Sequence, residues 1–104
     1  MADIRGIIAP VRTSNTPSKA TDATALAANS ERGAWMIQNL GTNVLFVRFG
    51  AGASASVFHA ALKAGTGIDD GTGGSLAQEA GGVFTGIISI AGTNPSYVVT
   101  ELTA

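Results

Sequence analysis

The chain contains no cysteine. That excludes a disulfide scaffold, a thiolate zinc site, an iron–sulfur cluster and a cysteine nucleophile. Charge is also scarce. Charged residues make up 12% of the chain, about half the ~25% of an ordinary soluble domain. The net charge is −1 and the six Lys and Arg are scattered, so neither a nucleic-acid surface nor a polybasic membrane patch is expected. No apolar run approaches the ~20 residues of a membrane helix. Residues 1–6 lack the basic start and long apolar stretch of a secretory signal. Aromatic residues are few, with one Trp and one Tyr.

Catalytic material is equally thin. His59 is the single histidine, and no serine near it sits in a nucleophile elbow with an acid partner. Glu79 and Glu101 are isolated in sequence, which leaves little for a paired acid/base site. Two motifs imitate chemistry without its context. Residues 50–55 fit G-x-G-x-x-A, with Asp69 and Asp70 about 20 residues on. No strand precedes those acids, and the chain is too short for a doubly wound sheet. Residues 69–74 (DDGTGG) resemble a calcium or phosphate loop. They lack the distal Glu of the first and the Lys of the second. We therefore expect no enzyme, no cofactor and no bound metal.

What the chain does have is β-forming sequence broken by 14 glycines. Of the 45% apolar residues, 18 are Ala, leaving 29 larger side chains for one modest core. Residues 4–11 form a short apolar run ended by Pro10, which reads as an edge strand. Residues 13–30 are rich in Ser, Thr, Ala and Asn, with Leu26 the single large apolar side chain. Such a segment buries too little to offset its own ordering entropy. It reads as an N-terminal arm, residues 1–30, lying on a neighbouring subunit or folding back on the body at 31–104. A short helix over 20–28, capped by Asp22, is compatible with its Ala content.

Two segments read as hairpins. Residues 35–40 and 44–49 flank Gly41-Thr42-Asn43. Trp35 and Ile37 fall on one face, where Trp35 reads as a core anchor. Leu45, Val47 and Phe49 share the inner face of the second run. That leaves Phe46 and Arg48 outward as a contact patch. Residues 83–91 and 96–102 flank a Gly-Thr-Asn-Pro turn, with Phe84, Ile88 and Ile90 on one face. Residues 53–64 fit either a helix closed by Gly65 or a strand over 57–63 with Phe58 and Leu62 inward. The strand suits the surrounding pattern better. Residues 65–82 form a long glycine-rich loop, in which 76–80 has room for one helical turn. The sum is an all-β chain: a small antiparallel β-sandwich or barrel of five to six strands with an extended N-terminal arm.

The block 35–41 (WMIQNLG), the run 45–50 (LFVRFG) and the loop 70–74 (DGTGG) resemble small bacteriophage virion proteins of the capsid decoration, or cement, type. The resemblance covers roughly residues 33–102. It implies a non-enzymatic β-sandwich in the virion, assembled in the host cytoplasm, that contacts the major capsid protein and copies of itself, often as a trimer. The expected contact residues are Ile4, Ile7, Ile8 and Pro10 in the arm, Phe46 and Arg48 on the strand, and Asp69, Asp70, Gly71, Gly73 and Gly74 in the loop. The alternatives are a tail or head-fibre base protein, or a carbohydrate-binding sandwich, which would need Trp35 or Tyr97 exposed.

Overall fold

The computed structural model describes residues 9–15, 23–79 and 82–103. They form eight strands: β1 (Ala9–Asn15), β2 (Ala23–Leu26), β3 (Arg32–Asn39), β4 (Leu45–Phe49), β5 (Ala60–Leu62), β6 (Ser75–Gln78), β7 (Ile88–Ala91) and β8 (Tyr97–Thr103). One sheet has the order β1-β8-β3-β6 and the other β2-β7-β4-β5. Every strand pair is antiparallel. The fold is a β-sandwich, as the sequence indicates, with more strands than the five or six expected.

The core lies between the two sheets. Alternation along each strand sends every second side chain inward. Trp35 and Ile37 on β3 and Tyr97 and Val99 on β8 face Leu45 and Val47 on β4 and Ile88 and Ile90 on β7. Leu26 and Leu62 close the flanks. Each large side chain buried this way contributes about 1.5–3 kcal/mol relative to an exposed one.

Neither expected hairpin forms. β3 and β4 lie in different sheets, and so do β7 and β8. The connections 40–44 and 92–96 are arches that carry the chain across the core. Each sets two inner faces opposite each other instead of pairing two backbones. The arches are tied side by side: Leu40 N–H donates to Ser96 O at 2.8 Å, and Asn43 Nδ2 donates to Thr93 O at 3.0 Å. The expected inner faces of β3 and β4 are correct, because alternation is the same in an arch and in a hairpin. Only the hydrogen-bond partners differ.

The described parts of the expected arm belong to the chain's own sheets. β1 pairs along β8 from Ala9↔Thr103 to Asn15↔Tyr97. β2 pairs with β7, and its Ala25 and Leu26 are buried. Residues 23–26 are thus a strand and not part of a helix over 20–28. Ladder bonds and a buried Leu supply what the polar sequence alone does not. The expected helical turn at 76–80 is likewise replaced by β6 at Ser75–Gln78. Residues 53–64 form no helix, and the strand there is only Ala60–Leu62. Leu62 points inward as expected, but Phe58 stands 41% exposed. The long strand expected over 83–91 shortens to Ile88–Ala91. Phe84 still packs against the core, from an irregular segment.

Candidate interface surfaces

The outer face of β4 carries the first surface. Phe46 and Arg48 alternate outward from Leu45 and Val47, and both are half-buried. Part of their cover is residues 50–58, which fold back over this sheet. Ala53 N–H donates to Ser89 Oγ at 3.1 Å, and Ser89 Oγ–H donates to Gly50 O at 2.5 Å. This overlay buries Ser89 and Ala53. It brings the Phe58 ring to 4.9 Å from that of Phe46. The overlay returns to the sheet at His59, whose N–H donates to Val47 O at 2.7 Å. His59 Nδ1 accepts from Phe49 N–H at 3.0 Å. That bond assigns the ring proton of the neutral imidazole to Nε2. Val44 and Val57 are exposed beside this stack. Asn43, Val44, Phe46, Ala55, Gly92 and Thr93 line an open cleft of about 260 Å³.

The loop 65–74 is the second surface, and it is built as a rigid tab. Asp70 Oδ1 accepts from Thr72 N–H at 2.9 Å and Thr72 Oγ1 at 2.6 Å. Asp70 Oδ2 accepts from Thr66 Oγ1 at 3.0 Å. These bonds favour the ionised carboxyl and hold its pKa below the usual carboxylate value. The tab is fastened to the first arch by Asp69 N–H to Leu40 O at 2.8 Å and Gly65 N–H to Gly41 O at 2.9 Å. Its base is pinned by Gly74 N–H to Lys63 O at 2.8 Å. A side chain on Gly73 would overlap the carbonyl oxygen of Asn39. Gly73 and Gly74 therefore serve the tab's own closure. The tip is Ile68, 63% exposed, followed by exposed Asp69 and Asp70.

A third surface was not singled out from sequence. On the outer face of the β8-β3-β6 sheet, Ala34, Met36, Ala77, Thr100 and Leu102 line a shallow groove of about 190 Å³. Met36 is 45% exposed there. Strand alternation opposite Trp35 and Ile37 was the available signal.

The least solvated polar side chains hold the ends of the sandwich. Arg32, fully buried at its side chain, pairs with Glu101 through Nε at 2.7 Å. Its remaining nitrogens donate to the carbonyls of Ala27, Phe84 and Gly86. At the other end of β3, Asn39 Nδ2 donates to the carbonyls of Asn43, Leu62 and Lys63. Asn39 Oδ1 accepts from Gly41 N–H at 2.9 Å. Trp35 Nε1–H donates to Gln78 Oε1 at 2.8 Å. Sequence reading missed Arg32, whose partners lie up to 69 residues away.

Trp35 and Tyr97 are 2% and 1% exposed, so neither offers a ring face to a sugar. Among the described residues no group of three or more His, Cys, Asp or Glu is arranged to hold a metal. No helix of the described residues is long and apolar enough to cross a membrane. Ile4, Ile7 and Ile8 lie outside the described residues. Pro10 lies in β1, opposite Leu102. Phe46 and Arg48 sit together on one face, whereas Asp69, Asp70, Gly71, Gly73 and Gly74 sit together in the tab.

No family model matches the sequence, and no curated protein matches it. Among solved structures, the chain is similar to one from a report that Bacillus endospore appendages form a novel family of disulfide-linked pili. The similarity covers 91% of this chain and 85% of that one, at 17% identity and a TM-score of 0.47.

Proposed function

We propose that this chain is a non-enzymatic structural subunit of a bacteriophage virion, acting as a capsid decoration or cement protein. One observation carries the reading. On a chain with 12% charged residues, Met36, Val44, Val57, Phe58 and Ile68 stand 41–63% exposed. Free small domains keep their surfaces charged and free of apolar patches. A subunit that spends its working life covered by neighbours has no such need. The polar side chains support the same view. Arg32, Asn39, Ser89 and Asp70 are engaged in holding segments of the chain together. Partners of this chemistry would be the major capsid protein and further copies of the chain, as a homotrimer. On a repeating lattice many weak contacts add through multivalency.

The test has two stages. Sedimentation velocity of the purified chain should show an oligomer, and a strict monomer that also ignores purified capsids overturns the reading. Immunogold labelling of virions should then place the chain on the head; label on the tail or fibre base would instead favour the alternative position. Deleting residues 1–30 would strip β1 and β2 from the sheets. The informative deletion is residues 1–8, which removes Ile4, Ile7 and Ile8. The sandwich should survive it, with weakened attachment to capsids.

A further inference from the structure

The two surfaces named for contact differ in relief and in charge. The tab presents a branched apolar side chain, Ile68, at the tip of a hydrogen-bonded loop. It is followed by Asp69 and Asp70, and residues 65–74 contain no Lys or Arg. The outer face of the β2-β7-β4-β5 sheet has the opposite character. Its cleft has apolar walls at Val44 and Phe46. Arg48 lies two residues beyond Phe46 on the same face, but its Nε is buried beside Gly50 and it does not line the cleft. Lys63 is exposed just after β5, whose Ala61 pairs with Phe46. No Asp or Glu occurs in the strands of that sheet or in the 50–59 overlay. Arg32 is engaged with Glu101. Lys63, next along the chain after the Leu45–Leu62 pair and so beside Val44, is therefore the cation with an exposed side chain at the rim of this cleft.

We propose that the Ile68 tab of one copy inserts into the Val44–Phe46 cleft of a second copy, with Asp69 and Asp70 meeting Lys63. This deepens the reading of the chain as an assembling subunit and rests on it. The tab is suited to the task because its order is already set. Its backbone is fixed by Asp70, Thr66, Thr72 and the arch before any partner arrives, so little conformational entropy is lost on docking. The apolar knob supplies affinity, and the opposed charges set orientation and speed encounter. Because exposed charge pairs are screened beyond roughly 8–10 Å at ordinary ionic strength, the contact weakens as salt rises.

The test uses the full chain and two exposed substitutions, Ile68→Asp and Val44→Asp, each checked for native circular dichroism. Either variant alone should weaken self-association by about tenfold or more. Mixed in equal amounts, the two should recover association, because the first keeps its cleft and the second keeps its tab. Charge reversal sharpens the result. Asp69→Lys should weaken association, and Lys63→Glu in the partner copy should restore part of it. If the wild-type chain assembles and Ile68→Asp assembles equally well, the tab contact is wrong while the structural-subunit reading stands. A mixture that stays dissociated also overturns it. A wild-type chain that never assembles and never binds a capsid removes the broader reading as well.

Discussion

The two ends of β3 perform the same mechanical task with different chemistry. At one end Arg32 draws Glu101 and the carbonyls of Ala27, Phe84 and Gly86 onto a single guanidinium. At the other, Asn39 draws the carbonyls of Asn43, Leu62 and Lys63 and the amide of Gly41 onto one neutral carboxamide. Glu101 apart, which lies on the paired strand β8, each side chain gathers segments that the sheet of β3 does not bond. The contrast lies in what is left behind when the side chain is cut. Removing a neutral amide leaves carbonyls short of donors. Removing a buried cation leaves a partly buried carboxylate, Glu101, without its counter-charge, and three carbonyls with it.

The largest expected effect follows from that difference. Arg32→Ala should cost about 3–5 kcal/mol, as for other broken buried pairs, read as a lower urea midpoint with an unchanged slope. Replacing both partners, with Arg32→Met and Glu101→Leu, should cost less than the single change, since no unpaired charge remains. If the single and double variants are equally unstable, charge is not what distinguishes this end. The Asn39 end should be gentler. Asn39→Ala should cost about 1–3 kcal/mol, the usual price of stranded buried polar groups. Gly73→Ala should cost about 1–3 kcal/mol by a different route, overpacking against the Asn39 carbonyl. A Gly73→Ala variant as stable as the parent would show that the tab is not seated as tightly as its hydrogen bonds imply.

The same comparison explains what could be read from sequence. Alternation is local, so the inward set of Trp35, Ile37, Leu45 and Val47 and the outward pair Phe46 and Arg48 were legible residue by residue. Sheet membership is not local. The segment 40–44 has a length and composition that suit a hairpin, and its fate as an arch is decided by Asn39 bonding to residues 62 and 63 and by the neighbouring arch at 92–96. Residues 23–26 looked too polar to fold, because their ordering comes from β7 across the ladder. Arg32 carried no signal for the same reason, since a lone arginine before a strand has no partner visible in its own neighbourhood. The overlay at 50–58 was hidden because small residues such as Ala53 and Ser54 give no periodicity, yet this segment places Phe58 on Phe46 and so shapes the cleft.

The smallest expected effect tests the tab against both ends. Exposed Asp70 is ionised and accepts three hydrogen bonds from Thr66 and Thr72. Its pKa is lowered in the folded chain, first by the side-chain bond from Thr72 and then by the backbone bond from Thr72. A carboxyl whose folded pKa lies below its unfolded value stabilises the fold fully above the unfolded value, ~3.9 for Asp. That contribution is lost as pH falls through the folded pKa. Thermal melts of the wild-type chain and of Asp70→Asn should therefore differ slightly at pH 7 and converge in strong acid. Arg32→Ala should instead keep a deficit at every pH, because its bonds to the carbonyls of Ala27, Phe84 and Gly86 do not titrate. A wild-type minus Asp70→Asn gap that widens on acidification would show that the tab is not held by the ionised carboxylate, and with it would go the rigid, pre-ordered tip on which docking of Ile68 depends.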